Sequence, residues 1–213
     1  MMSEKKIFRD FVCEVRAAND EERGNYITGQ PIVFGDMYDV GGMFGETIDE
    51  GALENTNLKD VRFLVNHNFS MIPLARSRNN NANSTMQLEK VQGGLNIRAN
   101  LDTENNATAK ELYSAVGRGD ISGMSFAFLV DGETWENLDS DYPIRHITSI
   151  SSVFEVSAVT APAYEATSIE ARSDVEALEN AKTLLENERQ RQAEERKAKT
   201  DALEMRLKKL MEG

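Results

Sequence analysis

The composition of the chain changes abruptly near residue 172, and this change limits the folds that are open to it. The last 41 residues, 173–213, contain no proline, no aromatic residue and no glycine before Gly213. Ten acidic and nine basic residues give this segment a net charge of −1 out of the total of −12, a pattern typical of a solvated helix. The sequence therefore predicts a globular domain over residues 1–172 and a charged helical C-terminal arm over residues 173–213.

Short apolar runs bounded by turn residues dominate the first region. These runs cover residues 8–16, 26–34, 61–65, 85–91, 94–101, 121–130, 144–150 and 153–160. One helix is predicted over residues 107–116, where apolar side chains fall on a single stripe. The polar segment 132–143 predicts a long surface loop of the kind that often borders binding sites. Many short strands with frequent turns predict an antiparallel barrel or sandwich.

Charge and cysteine content narrow the classes of function. A net charge of −12 argues against a general nucleic-acid binder, which needs clustered positive charge. No apolar stretch approaches the roughly 18–20 residues that cross a bilayer, and the first residues have no apolar core of a signal peptide. The single cysteine, Cys13, excludes an internal disulfide and a cysteine zinc cluster, and it is expected in the core. An intracellular location is expected.

The arm has two apolar stretches separated by charge. The first comprises Val175, Leu178, Ala181 and Leu185, and the second comprises Leu203, Leu207 and Leu210. Residues 186–202 are nearly all charged or Gln, so the apolar seam of a continuous coiled coil is missing. The arm is interpreted as two adhesive ends joined by a solvated spacer, and a solvated helix without a partner is the alternative.

His67 and Ser125 are the first candidates for chemistry. His67 is one of two histidines and follows a strand-like run, whereas Ser125 lies within another run, two residues after Gly123. A serine hydroxyl becomes a nucleophile only when a base within hydrogen-bond reach takes its proton. Histidine suits that task because its unperturbed pKa is about 6.5. Taken alone, however, a serine in a strand is more often an ordinary strand residue.

A third group must orient the histidine and stabilise its charge. Glu155 is a carboxylate within an apolar run, where a charge usually has a partner. That partner could be His67, or an arginine such as Arg76 or Arg145. The second histidine, His146, is the other candidate for the third member.

Six ordered blocks around these residues resemble a known family, the prohead serine proteases of HK97-like tailed bacteriophages. The resemblance covers roughly residues 8–172. The blocks that carry it are Ile27-Thr28-Gly29 with Val33-Phe34-Gly35, Phe44-Gly45-Glu46-Thr47-Ile48 with Gly51-Ala52-Leu53, Val65-Asn66-His67 with Pro73-Leu74-Ala75-Arg76, Gly93-Gly94-Leu95, Arg118-Gly119-Asp120-Ile121-Ser122-Gly123-Met124-Ser125-Phe126, and Glu155-Val156-Ser157-Ala158-Val159-Thr160-Ala161-Pro162-Ala163-Tyr164.

The resemblance implies a fold and a set of catalytic residues. The fold would be of the α+β class, a mostly antiparallel β-barrel flanked by helices as in the herpesvirus assemblins, here with a long C-terminal helix. Ser125 would be the nucleophile and His67 the base. Glu155 is preferred as the third member because an acidic group stabilises an imidazolium better than a neutral imidazole does, and His146 stays the alternative because assemblins use a second histidine.

The resemblance also implies a function and partners. The chain would be a serine endopeptidase that cleaves scaffold or capsid protein segments, and itself, during prohead maturation. It would work in the host cytoplasm, inside the viral procapsid, with no cofactor, metal, nucleic acid or membrane. Its substrate would lie as an extended strand beside the barrel under the 132–143 loop. Because assemblins dimerise, the resemblance is also compatible with a homodimer. The arm would dock the enzyme in the shell, with a self-cleavage site near Ala171–Asp174.

Two other functions compete with this interpretation. The first is a non-enzymatic assembly module, in which the protease fold is inactive and the helix serves as scaffold. The second is a zinc hydrolase, which two histidines without a His-Glu-x-x-His pattern make weak.

Overall fold

The computed structural model describes residues 7–12, 15–79, 82–160 and 172–211. Cys13, expected in the core, lies outside these residues. Residues 161–171 also lie outside them, and they include the end of the last family block, 161–164, and the first residue of the expected cleavage junction, Ala171. The described chain is a mixed α+β structure with eleven strands and two helices. Neither of these helices carries an apolar stretch of the length that crossing a bilayer requires.

Two β-sheets make up most of the domain. The larger sheet contains seven strands in the order β1-β10-β11-β5-β4, with β6 also paired to β11 and β7 paired to β6. Its strands are β1 (Ile7–Val12), β4 (Tyr38–Val40), β5 (Phe44–Ile48), β6 (Asp60–Val65), β7 (Ala75–Arg78), β10 (Gly123–Glu136) and β11 (Ile144–Val159). The smaller sheet has the order β2-β3-β9-β8, from β2 (Arg16–Asp20), β3 (Gly24–Val33), β8 (Met86–Val91) and β9 (Gly94–Asn100).

The expected closed barrel is not present in the described part of the chain, whose strands form two separate sheets. At one place where the two sheets meet, β7 approaches the start of β8. The backbone N–H groups of Arg76 and Arg78 donate to the side-chain hydroxyls of Thr85 and Ser84, at 2.8 and 2.9 Å. Hydroxyls thus satisfy donors that a continuous ladder would have paired with carbonyls, and the sheets meet without joining.

The hydrophobic core lies between the two sheets and the first helix. Strands of the smaller sheet contribute Ile27, Ile32, Leu95 and Ile97, and those of the larger sheet contribute Phe63, Met124, Phe126, Phe128 and Val156. Alternation along β10 places its large side chains on this face, which leaves Gly123, Ser125 and Ala127 on the opposite face. The core therefore fixes which side of the larger sheet carries Ser125.

Helix α1 (Ala107–Arg118) confirms the predicted helix and extends it by two residues. The side chain of Asn106 accepts a hydrogen bond from the backbone of Ala109 at 3.1 Å and so caps the first turn. Gly119 ends the helix with φ +81°, a left-handed conformation that favours glycine.

Strands β10 and β11 form a long antiparallel hairpin that differs from the sequence prediction. The two runs expected over residues 144–150 and 153–160 are one strand. Likewise β10 continues to Glu136, so residues 132–136 of the expected 132–143 loop belong to a strand, and only residues 137–143 connect β10 to β11. Ser125 is ten residues from Trp135, about 30 Å along an extended strand, and this connection therefore lies far from Ser125.

Helix α2 (Arg172–Met211) forms the arm, and part of it packs on the domain. Ala181 and Leu185 are buried with Val40, Phe44 and Leu138. Arg189 extends this contact, with Nε donating to the Leu138 carbonyl at 3.0 Å and Nη2 to the Ser140 carbonyl at 2.7 Å. The second apolar stretch is different, because Leu203, Leu207 and Leu210 are exposed.

Candidate active site

A left-handed turn delivers His67 to the larger sheet. Strand β6 runs parallel to β11 and ends where Val65 pairs with Ala158. Asn66 and His67 then adopt φ of +48° and +53°, a region that non-glycine residues seldom visit but in which Asn and His are enriched. Continued as a strand, the chain would place His67 on the core face with Val65. The turn ends that alternation and brings the ring to the opposite face.

The end of β11 fastens this turn. The backbone N–H of Asn66 donates to the Ala158 carbonyl at 3.0 Å, and the Asn66 side-chain oxygen accepts from the Thr160 N–H at 3.0 Å and its hydroxyl at 3.3 Å. Strained backbone persists only where its surroundings hold it in place. The position of His67 is therefore set by β11 as much as by β6.

Glu155 is the residue that His67 contacts. Its side chain is fully buried, whereas that of His67 is 22% exposed, and Nδ1 of His67 bonds to Oε1 of Glu155. A buried carboxylate is costly unless it is paired, and it can only accept hydrogen bonds when ionised. The neutral imidazole therefore holds its proton on Nδ1 and its lone pair on Nε2, the state that a general base requires.

Ser157 occupies the second oxygen of the same carboxylate. Its hydroxyl donates to Oε2 of Glu155 at 2.6 Å and accepts from the backbone N–H of His67 at 3.1 Å. Glu155 and Ser157 are two residues apart on one strand, so their side chains share a face. Both Ser157 and Glu155 are fully buried.

Ser125 lies directly across the hairpin from Ser157. The register pairs Ser125 with Ser157 and Ala127 with Glu155. Paired residues of antiparallel strands have Cα atoms about 4.5–5.5 Å apart and side chains on one face. Ser125 is fully buried, and on the other side of β10 its backbone partner is Asp10 in β1. The fold thus brings Ser125, Ser157, Glu155 and His67 to one face of the larger sheet.

His146 lies at the other end of the hairpin. It precedes Glu155 by nine residues of β11, about 30 Å along the strand. Its Nδ1 contacts Oδ1 of Asp49 at 3.0 Å and its Nε2 lies 3.5 Å from Oε2 of Glu136. The hydrogen bond with Asp49, with a smaller effect of Glu136, raises the pKa of His146 above its ordinary value.

The two arginines considered as partners of Glu155 pair with other carboxylates. Arg76 forms a two-point contact with Asp60, Nε to Oδ1 at 2.6 Å and Nη2 to Oδ2 at 2.7 Å. Arg145 is buried and donates to Glu46 at 2.7 Å and to Glu133. Of the three partners considered for Glu155, the structure therefore shows His67.

Ser157 and Asn66 are the residues of this site whose contacts sequence reasoning missed. A signal existed for Ser157, because a hydroxyl two residues after a carboxylate in a strand must share its face. The Asn-His pair after a strand is also a pattern that tolerates positive φ. In the part of the chain that the structure describes, no group of three or more His, Cys, Asp or Glu side chains is arranged to hold a metal ion.

The arrangement contains the parts of a proton-transfer site. An imidazole whose Nδ1–H is held by a buried carboxylate can take a proton on Nε2, and the carboxylate then stabilises the imidazolium. The nearby serine on the same face is a hydroxyl that such a base could activate.

Comparison with known proteins gives one family. The sequence profile of the caudovirus prohead serine proteases matches residues 12–181. None of the curated proteins matches the chain. Among solved structures, the bacteriophage T4 capsid assembly protease is similar with a TM-score of 0.44 and 11% identity, over 73% of this chain and 97% of that one.

Proposed function

The chain belongs to the caudovirus prohead serine protease family, and we propose on this premise that it is a serine endopeptidase acting in capsid maturation. One observation carries the proposal, the buried contact between Glu155 and His67 on the face that also holds Ser125. A carboxylate, an imidazole and a hydroxyl from distant parts of the chain are collected on one sheet face, as acyl transfer requires.

In the proposed mechanism, Nε2 of His67 takes the proton of Ser125 as its Oγ attacks a peptide carbonyl. Glu155 holds the ring through Nδ1 and stabilises the imidazolium that forms. His67 then gives the proton to the leaving amine, which breaks the peptide bond and leaves an acyl-enzyme. A water molecule that loses a proton to His67 hydrolyses this ester and regenerates Ser125. Glu155 takes the third role in preference to His146 because it contacts Nδ1.

The burial of Ser125 bears on when the enzyme acts. A fully buried hydroxyl offers no surface that a peptide carbonyl could approach. We therefore interpret the described conformation as closed, with cleavage following a rearrangement that opens the Ser125 face. Such an enzyme would stay inactive until the shell is assembled, and its reaction with small probes would be slow.

The proposed substrates are the scaffold and capsid protein segments inside the procapsid, together with the chain itself. The exposed distal part of α2, which includes Leu203 and Leu207, is proposed as the docking segment that carries the protease into the shell. A self-cleavage site is proposed near Ala171–Asp174, where α2 begins. A homodimer remains part of the proposal by analogy with assemblins.

The test is co-expression of the chain with the major capsid protein of the same phage. Wild type is expected to process the capsid protein, Ser125→Ala and His67→Ala to lose processing, and His146→Ala to retain it. Processing that persists in Ser125→Ala would overturn the assignment. Absence of processing by wild type in assembled particles would instead favour the non-enzymatic assembly module.

A chemical probe adds an independent readout. An alkyl fluorophosphonate is expected to add a single phosphonyl group to Ser125 of the wild type, located by peptide mass mapping. His67→Ala should remove the reaction, whereas His146→Ala should not change its rate. Equal labelling of wild type and His67→Ala would show that His67 is not the base.

A further inference from the structure

The hydroxyl of Ser157 makes two hydrogen bonds that converge on His67. It donates to the carboxylate that holds the imidazole, at 2.6 Å, and accepts from the backbone N–H of His67 itself, at 3.1 Å. A serine hydroxyl has one proton to donate and two lone pairs, so its donor is committed to Glu155. We propose that Ser157 is a positioning residue that fixes both the backbone and the ring of His67, an inference that rests on the proposed function.

The carboxylate needs both of its partners. Glu155 is fully buried, and its two oxygens are divided between His67 on Oε1 and Ser157 on Oε2. Loss of one donor leaves a buried charged acceptor unsatisfied, which costs more than the lost hydrogen bond alone. The carboxylate would rotate or admit water to recover a partner, and either change moves the imidazole that it holds.

The backbone bond acts on a different part of the same residue. His67 is held at φ +53°, a left-handed conformation that persists only where the surrounding structure holds it. The Ser157 hydroxyl anchors this turn to β11, a strand paired on both sides, since Ser157 faces Ser125 in β10 and Leu64 in β6. One side chain therefore bonds to both the base and the orienting carboxylate, from a strand whose backbone pairs with the strand of Ser125.

Ser157 is not a second nucleophile in this arrangement. Its proton is directed at Glu155, and its oxygen accepts from a backbone N–H rather than lying against an imidazole nitrogen. Because Ser125 and Ser157 are cross-strand neighbours, peptide mapping of the labelled serine is needed to separate their roles. A phosphonyl group found on Ser157 in the wild type would overturn the proposal.

The experiment measures the rate at which an alkyl fluorophosphonate modifies Ser125 in the full chain. Ser157→Ala is expected to lower this rate by about 10- to 100-fold, by analogy with the loss of groups that orient metal-binding histidines. Ser157→Thr, which keeps the hydroxyl, should recover most of the loss. Equal rates in wild type and Ser157→Ala, or equal losses in the Ala and Thr variants, would overturn the positioning role.

Ser77→Ala is the matched control. Ser77 is also a fully buried serine, in β7 beside β6, and within the described residues its hydroxyl has no hydrogen-bond partner. Its removal deletes the same atom without deleting a bond. The control should react at the wild-type rate, and the denaturation midpoint in urea of each variant separates loss of folding from loss of geometry.

A spectroscopic readout covers the case in which the closed wild-type enzyme reacts too slowly to measure. The chain has two histidines, so in protein labelled with ¹⁵N at histidine the His67 Nδ1–H can be assigned by comparison with His146→Gln. That proton is expected to exchange slowly with water in wild type and Ser77→Ala, and rapidly in Ser157→Ala. Slow exchange in Ser157→Ala would overturn the inference.

The failure of this inference and that of the proposed function are distinguishable. If Ser125→Ala and His67→Ala abolish labelling while Ser157→Ala does not slow it, Glu155 positions His67 without Ser157 and the protease assignment stands. If Ser125→Ala is labelled as fast as wild type, the proposed function itself fails.

Discussion

The two ends of the β10–β11 hairpin both hold a buried carboxylate, but it is paired with a histidine at one end and with an arginine at the other. At the His67 end, formed by His67, Ser125, Glu155 and Ser157, the cation would be an imidazolium. At the far end, formed by Glu46, Asp49, Glu133, Glu136, Arg145 and His146, the buried cation is a guanidinium. An arginine stays protonated at any pH that a protein survives, so Arg145 can stabilise the fold but cannot act as a base.

The two histidines also differ in the solvent exposure of the carboxylates that they contact. His67 contacts one carboxylate that is fully buried, whereas His146 contacts two carboxylates that are 37% and 59% exposed. A pair in water is screened and weak, while a buried pair interacts strongly. Burial of the carboxylate, rather than the presence of a histidine–carboxylate pair, thus distinguishes the end that is proposed to carry the chemistry.

The largest expected effect is at the His67 end. Glu155→Gln keeps the shape of the side chain but removes the charge and favours the wrong imidazole tautomer, and should lower the labelling rate of Ser125 by about 10⁴-fold. The rate of fluorophosphonate addition measures it, with His146→Gln as the control at the far end. Equal losses in Glu155→Gln and His146→Gln would show that the two ends of the hairpin do not differ in their effect on the labelling of Ser125.

Removal of the buried cation at the far end should affect folding instead. Arg145→Met leaves Glu46 buried without its guanidinium, and the free energy of unfolding should fall by about 3–5 kcal/mol, measured by urea titration. The double variant Arg145→Met with Glu46→Met should recover much of this loss. Arg76→Met serves as the control, because its partner Asp60 is half exposed, and should cost no more than about 1 kcal/mol.

The contact between α2 and the domain should contribute less. Leu185→Ala removes a buried side chain that packs with Phe44 and Leu138, and about 2–4 kcal/mol of the free energy of unfolding should be lost. Leu203→Ala, at an exposed position, should change it by less than about 0.5 kcal/mol. Hydrogen exchange of the α2 amides measures both. Equal exchange in the two variants would mean that the packing contributes nothing.

The smallest expected effect is the pH dependence of His146. Its pKa is raised in the folded chain, so its stabilising effect is fully present below about pH 6.5, the unfolded value. That effect is lost as the pH rises through the folded pKa. The difference in free energy of unfolding between wild type and His146→Gln should therefore shrink by roughly 0.5–1 kcal/mol on going from pH 6 to pH 8. A difference that grows with pH would show that the carboxylates do not hold the charged form.

Local signals in the sequence predicted the elements whose boundaries are locally encoded. The helix predicted over residues 107–116 is α1, and the runs predicted over residues 85–91 and 94–101 are β8 and β9. Strand β7 has the sequence Ala-Arg-Ser-Arg and no apolar alternation, so its pairing with β6 had no local signal. Strand β5 was also missed, because Phe44–Ile48 is buried along its whole length and does not alternate. The serines at 149, 151 and 152 interrupted the apolar pattern and made β11 look like two strands.

The sequence supplied the members of the proposed site but not their geometry. A carboxylate in an apolar strand indicated that Glu155 has a partner, yet the choice among His67, Arg76 and Arg145 depends on the parallel pairing of β6 with β11. That register joins residues about 90 positions apart and is set by the whole core. The two hydrogen bonds of Ser157 can be inferred only once the left-handed turn at His67 is known. The burial of Ser125 depends on strands that are far apart in the sequence.

The packing of α2 changes what a cut in the chain would release. Residues 160–171 separate the end of β11 from the start of α2, and hydrolysis of one peptide bond there would leave Leu185 and Arg189 still bound to the residues around Leu138. The product would be a nicked complex of two fragments, which migrate apart in denaturing gels but elute together under native conditions. Release of the arm would then be a separate dissociation step, with its own rate, after the covalent bond has gone.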